Sequence, residues 1–115
     1  MSEANTFVAW PEEFVTVVLT GEVDIAVTDE VLDACDRATS LVDVPHLVID
    51  LSAVTFMDTS GLGALLEAHK KVTARGGDIS LLGVTPRILT LMQITRLDRV
   101  FPVLSEAPAL PPVQA

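Results

Sequence analysis

Chemistry in this chain is concentrated in one stretch, Asp58-Thr59-Ser60-Gly61-Leu62-Gly63. A carboxylate and two hydroxyls stand there between a strand-like apolar run and a helix-like one, where a helix leaves its first amides unpaired. As a hydrolytic nucleophile, Ser60 would need a base and an acid to orient that base. The local string lacks the leading glycine of the G-x-S-x-G elbow. Only two histidines exist: His46 precedes a strand, and His69 lies more than two helical turns beyond Ser60. Gly61-Leu62-Gly63 has no Walker lysine and is not a dinucleotide fingerprint. Asp24, Asp50 and Asp58 have neither a histidine pair nor calcium-loop spacing, so no metal or cofactor is expected.

Two readings of Asp58-Thr59-Ser60 remain open on the residues alone. One is a helix N-cap cluster. The other makes Ser60 a phosphate acceptor for another protein, since the helix dipole and the first-turn amides tolerate an anion. A phosphate would add roughly two negative charges beside Asp58 and eject a partner seated there. Gly61 and Gly63 are read as room for close approach of backbone or partner.

The elements that must position this stretch follow from pattern. Residues 6–10 (TFVAW) read as a strand, Pro11-Glu12-Glu13 as a turn, and Phe14 to Thr20 as a second strand ending at Gly21-Glu22, the two forming a hairpin. Thr28 is the expected N-cap of a first helix whose apolar stripe is Val31, Leu32, Cys35, Ala38 and Val42, with Pro45 as its stop. His46 to Leu51 reads as a strand buried on both faces, followed by a short connection. A second helix from about Ser60 turns Leu62, Leu65, Leu66, His69 and Val72 inward. Lys70, Lys71 and Arg75 suit its C-terminal end and Gly76-Gly77 stops it. Asp78 to Leu82 is a strand, Thr85-Pro86 caps a third helix carrying Ile88, Leu91, Met92 and Thr95, and Val100 to Val103 is a last edge strand. The order β-β-α-β-α-β-α-β predicts a single α/β domain with a mixed, mostly parallel sheet and helices packed against it. The domain is expected over 1–105, with 106–115 a Pro-rich flexible tail.

At 115 residues, half of them hydrophobic, the chain can bury one core. No apolar run approaches the roughly 20 residues of a membrane span, and the first ten residues lack a signal-peptide pattern, so a cytoplasmic protein is expected. A formal charge of −9 is wrong for a phosphate-backbone binder; an acidic chain of this size is most simply a soluble one, with a basic partner surface as the lesser reading. The lone Cys35 excludes an internal disulfide.

The central segment resembles the signature of the STAS-domain family, specifically the bacterial anti-sigma factor antagonists. Their D-L-S-x-V-x-F-x-D-[ST]-S-G-L-G run is matched by Asp50-Leu51-Ser52, Val54, Phe56 and Asp58 through Gly63. Gly21-Glu22-Val23-Asp24 is similar to the family's G-E-[IL]-D turn, and Leu97-Asp98-Arg99-Val100-Phe101 to its late L-x-x-x-F element, so the resemblance spans about residues 6–104. The resemblance implies a non-enzyme, phosphorylated at Ser60 (with Thr59 as a lesser alternative) by an anti-sigma factor that is a Ser/Thr kinase. A Ser/Thr phosphatase would act on the phosphorylated form, with no direct nucleic-acid or membrane partner. Asp24, Asp58, Thr59, Ser60, Gly61 and Leu62 would form the partner face. Where the family often has T-G-L, this chain has Thr95-Arg96-Leu97, and an altered turn is expected. Two rivals stay open: a STAS module that assembles with other domains or binds a small ligand with Ser60 unmodified, and a weak hydrolase using Ser60.

Overall fold

The computed structural model describes residues 4–9 and 14–105. Trp10 of the expected first strand, the Pro11-Glu12-Glu13 turn and the tail 106–115 lie outside the described residues. The elements are β1 (Ala4–Ala9), β2 (Phe14–Val23), α1 (Thr28–Thr39), β3 (His46–Met57), α2 (Thr59–Thr73), β4 (Asp78–Leu82), α3 (Pro86–Thr95) and β5 (Val103–Leu104), with 3-10 turns at Ile25–Val27 and Leu97–Arg99. The expected α/β order is the observed one.

The strands lie in chain order, β1-β2-β3-β4-β5; β1 is antiparallel to β2 and every later pair is parallel. Right-handed crossovers that always step in the same direction place α1, α2 and α3 on one face of the sheet. Registers Val15↔Leu47↔Ile79 and Val17↔Ile49↔Leu81 align the inward rows of β2, β3 and β4. Those rows join Val31, Ala34, Cys35, Leu62, Leu65, Val72, Ile88, Met92 and Phe101 in one core. On the other face Thr16, Val18, Thr20, Asp50, Ser80 and Leu82 are only half-buried, although Val48 is covered. β3 is therefore not buried on both faces as its apolar run suggested. The run describes a strand whose second face is covered only at its centre. Because the strand order never reverses, the sheet has no switch-point crevice of the kind that holds ligands in doubly wound folds.

Three strands run further than expected, β1 by starting at Ala4 rather than Thr6. β2 continues through Gly21, which takes a φ of 75°, and the register shifts there before Glu22 and Val23 resume pairing with Phe56 and Met57. Ser52 to Met57, read as a connection because polar residues break the apolar run, is thereby strand. Thr28 is not the N-cap of α1: its hydroxyl donates to the Ile25 carbonyl (3.2 Å), and the capping carboxylate sits one turn earlier at Asp24. α1 ends at Thr39, well before Pro45. Thr85 and Pro86 start α3 as expected, the Thr85 hydroxyl accepting from the Ile88 N–H at 3.3 Å. The last strand is shorter than expected: Val100 to Pro102 lie outside it, and the Pro102 carbonyl accepts from the Leu81 N–H at 2.8 Å.

The basic end of α2 serves its neighbours more than its own dipole. Lys71 pairs with Asp36 of α1 (3.3 Å), and the Arg75 guanidinium donates to the carbonyls of Thr39 (2.8 Å), Val42 (2.7 Å) and Asp43 (3.1 Å). One side chain thus closes the end of α1 and pins the loop leading to β3.

Candidate functional site

Parallel pairing builds the site. Val23 at the end of β2 is in register with Met57 at the end of β3, so Asp24 and Asp58 emerge side by side at the C-terminal edge of the sheet. Adjacent strands are about 4.8 Å apart, so two turns begin next to each other there. Both aspartates have extended backbone and cap the turn that follows. Asp24 Oδ1 accepts from the Ala26 N–H at 3.0 Å; Asp58 Oδ1 accepts from the N–H groups of Ser60 at 2.9 Å and Gly61 at 3.3 Å. The N-cap reading of Asp58 is therefore realised, and it coexists with the acceptor reading of Ser60. It also corrects one part of that reading. The Ser60 and Gly61 amides are already taken by Asp58, so a phosphate on Ser60 would find the helix dipole but not those two donors.

Thr59 is exposed and Ser60 half-buried, both on the first turn of α2. Gly61 and Leu62 point the other way. Leu62 is a core residue at 1% exposure, and a Cβ on Gly61 would stand 2.7 Å from the Val23 carbonyl oxygen and 2.9 Å from Met57 Cγ. Gly61 is thus needed for α2 to seat against the ends of β2 and β3, not to admit a visitor. Gly63 does have open space, with nothing within 4 Å of the point a Cβ would occupy. The two histidines are placed elsewhere: His46 Nδ1 lies 3.1 Å from Asp78 Oδ1 at the opposite end of the strands, and His69 meets the Phe101 ring edge-on at 5.4 Å. Neither of the two capped segments, 21–30 and 52–66, contains Lys or Arg, whereas Glu22, Asp24, Asp29, Glu30 and Asp58 all fall there.

Sequence reasoning missed one member of this surface. Ile25, between the two residues of the Asp24 cap, is 76% exposed. An isolated isoleucine in an aperiodic bridge carries no sign of which way it faces. Its only signal in the sequence is its adjacency to Asp24.

Comparison with known proteins agrees with this architecture. A family model described as the STAS domain matches residues 8–107. The chain is 32% identical over 87 residues to an anti-sigma F factor antagonist of Paenibacillus polymyxa, covering 76% of this chain and 74% of that protein. The crystal structure of an anti-sigma factor antagonist from Mycobacterium paratuberculosis superposes with a TM-score of 0.70 at 28% identity, over 85% of this chain and 83% of that one. The Bacillus protein SpoIIAA, solved in a phosphorylated form, gives a TM-score of 0.66 at 22% identity over 88% and 91% of the two chains, a likeness of fold.

Proposed function

The chain belongs to the STAS-domain family, and from that premise we propose that it is an anti-sigma factor antagonist switched at Ser60. Unphosphorylated, it binds a kinase-type anti-sigma factor through Asp24, Asp58, Thr59 and Ser60, and so frees the sigma factor. The kinase supplies ATP and magnesium. Ser60 Oγ attacks the γ-phosphorus, the bond to the β-phosphate oxygen breaks, ADP leaves, and the hydroxyl proton passes to a base on the kinase. A Ser/Thr phosphatase hydrolyses the ester and resets the switch. This chain is substrate and ligand, not catalyst, and works in the cytoplasm; no helix among its described residues is long and apolar enough to cross a membrane. Residues 1–105 form the acting domain, a span supported by the family match over 8–107.

The observation that carries the reading is the placement of Ser60 on one of two adjoining aspartate-capped turns, whose own segments, 21–30 and 52–66, contain no Lys or Arg. A phosphate there gains roughly two negative charges with Asp58 adjacent and no basic side chain from either segment to neutralise it. Like-charge repulsion and desolvation then fall on the interface rather than inside the fold. Unphosphorylated protein incubated with the anti-sigma factor kinase of its own organism and ATP is expected to carry one phosphate, mapped by mass spectrometry to Ser60. Ser60→Ala should take none at this position and stay bound; Ser60→Asp should bind at least about tenfold more weakly, consistent with a charge buried without a partner. Label confined to another residue would remove the assignment, and equal binding of Ser60→Asp would remove the switch.

A further inference from the structure

We infer that Ile25 is the apolar anchor of the partner face, seated in an apolar socket of the anti-sigma factor; this rests on the reading of Ser60 as the switch. Ile25 is the most exposed of the large hydrophobic side chains among the described residues, at 76%. An isolated exposed isoleucine is ordinary by itself. This one is held out on a fixed support. The Ala26 N–H is bound to the Asp24 carboxylate (3.0 Å), the Val27 N–H to the Asp24 carbonyl (3.1 Å), and the Thr28 hydroxyl to the carbonyl of Ile25 itself (3.2 Å). Its backbone is therefore already ordered before any partner arrives, and little conformational freedom remains to be lost on binding.

The support is continuous with the Ser60 turn. Val23, two residues before Ile25, is paired with Met57, and its carbonyl faces the first turn of α2 at the position where a Gly61 Cβ would stand 2.7 Å away. Ile25 thus projects from the turn that abuts the Ser60 turn, with Glu22, Asp24, Asp29, Glu30 and Asp58 in the surrounding segments and no Lys or Arg among them. A central apolar side chain inside a charged rim is the arrangement in which single residues carry much of a binding energy. The complement is correspondingly an apolar socket.

The test is titration of the organism's own anti-sigma factor kinase with the intact protein, Ile25→Ala, Ile25→Leu and Ser60→Asp, each at low and high salt. Ile25→Ala is expected to weaken binding roughly tenfold or more, by the same factor at both salt concentrations, because an apolar contact is not screened. Ile25→Leu should regain most of it. In the phosphorylation of Ser60, Ile25→Ala should raise KM and leave kcat unchanged, because Ile25 does not touch the transferred phosphoryl group. Its melting temperature should match the parent, the side chain being exposed. If Ile25→Ala binds within about twofold of the parent while Ser60→Asp is lost, the anchor is refuted and the switch survives. If Ser60→Asp binds like the parent, the reading of Ser60 fails and the anchor with it. Concentration-dependent dimers in sedimentation that Ile25→Ala abolishes, with kinase binding intact, would assign Ile25 to a second copy and overturn the proposal.

Discussion

Arg96 ends α3 with φ 63° and ψ 17°, and among the described residues it is the one non-glycine residue in the left-handed region. Its N–H bonds back to the carbonyls of Gln93 and Met92, and its carbonyl accepts from Arg99 at 3.3 Å as the 3-10 turn begins. The backbone turn expected of a glycine is thus kept while the residue is not, so the expectation of an altered turn is not met. An L-residue there carries a penalty of about 1 kcal/mol from its Cβ against the carbonyl that follows. Arg96→Gly is accordingly expected to raise stability by about 0.5–1 kcal/mol, seen as a higher urea midpoint with an unchanged slope. An unchanged midpoint would mean that the arginine side chain recovers elsewhere what its backbone loses. At the same scale, Asp24 and Asp58 both cap a turn and belong to the proposed partner face, so substitutions at either would mix stability with binding. Ser60 and Ile25, whose side chains make no bond within the fold among the described residues, separate the two.

The elements meet at α2, and its two glycines make opposite predictions within one turn. Gly61→Ala drives a Cβ into the Val23 carbonyl and Met57, and backbone cannot yield as a flexible side chain can. It should cost about 1–3 kcal/mol, the usual range for overpacking a seated element. Gly63→Ala meets nothing within 4 Å on an exposed helical position and should stabilise by about 0.5–1 kcal/mol through helix propensity. Thermal melts of the two variants side by side decide the point; equal melting temperatures would mean that α2 does not seat its first turn against Val23. At the far end of the helix, Lys71 and Arg75 tie α2 to α1 and to the loop before β3. The Ser60 end is thus carried on a helix fixed at its other end.

For the molecule as a whole, successive crossovers in one direction leave one sheet face under three helices and the other half-open. Cys35 lies in the covered core, where burial first, and the Asp36 charge second, push its thiol from an ordinary 9.0 up to about 12 against a smaller opposing pull from Lys71. Between those values the unfolded chain releases a proton that the native state keeps. Stability is therefore unaffected below about pH 9 and falls as the pH rises toward 12. The chain has no tyrosine, and its two lysines, Lys71 on Asp36 among them, are common to the parent and to Cys35→Ala, so comparing the two isolates the thiol. Urea midpoints at about pH 8 and about pH 10.5 should drop for the parent and drop less for Cys35→Ala. Parallel slopes would place the alkaline loss elsewhere. The same thiol should resist alkylation in the native state, since the thiolate is the reactive form.

Local pattern was enough for much of this. The spacing of apolar residues determined α1, α2 and α3, the β-branched runs placed the strands but not their ends, and Thr85-Pro86 marked a helix start to the residue, because each signal lies within a few residues of its effect. The D-T-S-G-L-G string likewise marked the cap and first turn of α2. Tertiary structure alone decided the rest. Whether β3 has one covered face or two depends on the direction of three crossovers; whether Gly61 makes room for a partner or for Val23 depends on a strand nearly forty residues upstream. The pairing of Asp24 with Asp58 and the outward display of Ile25 depend on the β2–β3 register and its two shifts. Side-chain direction in a strand inverts with a single step of register, and no local signal in a sequence fixes that step.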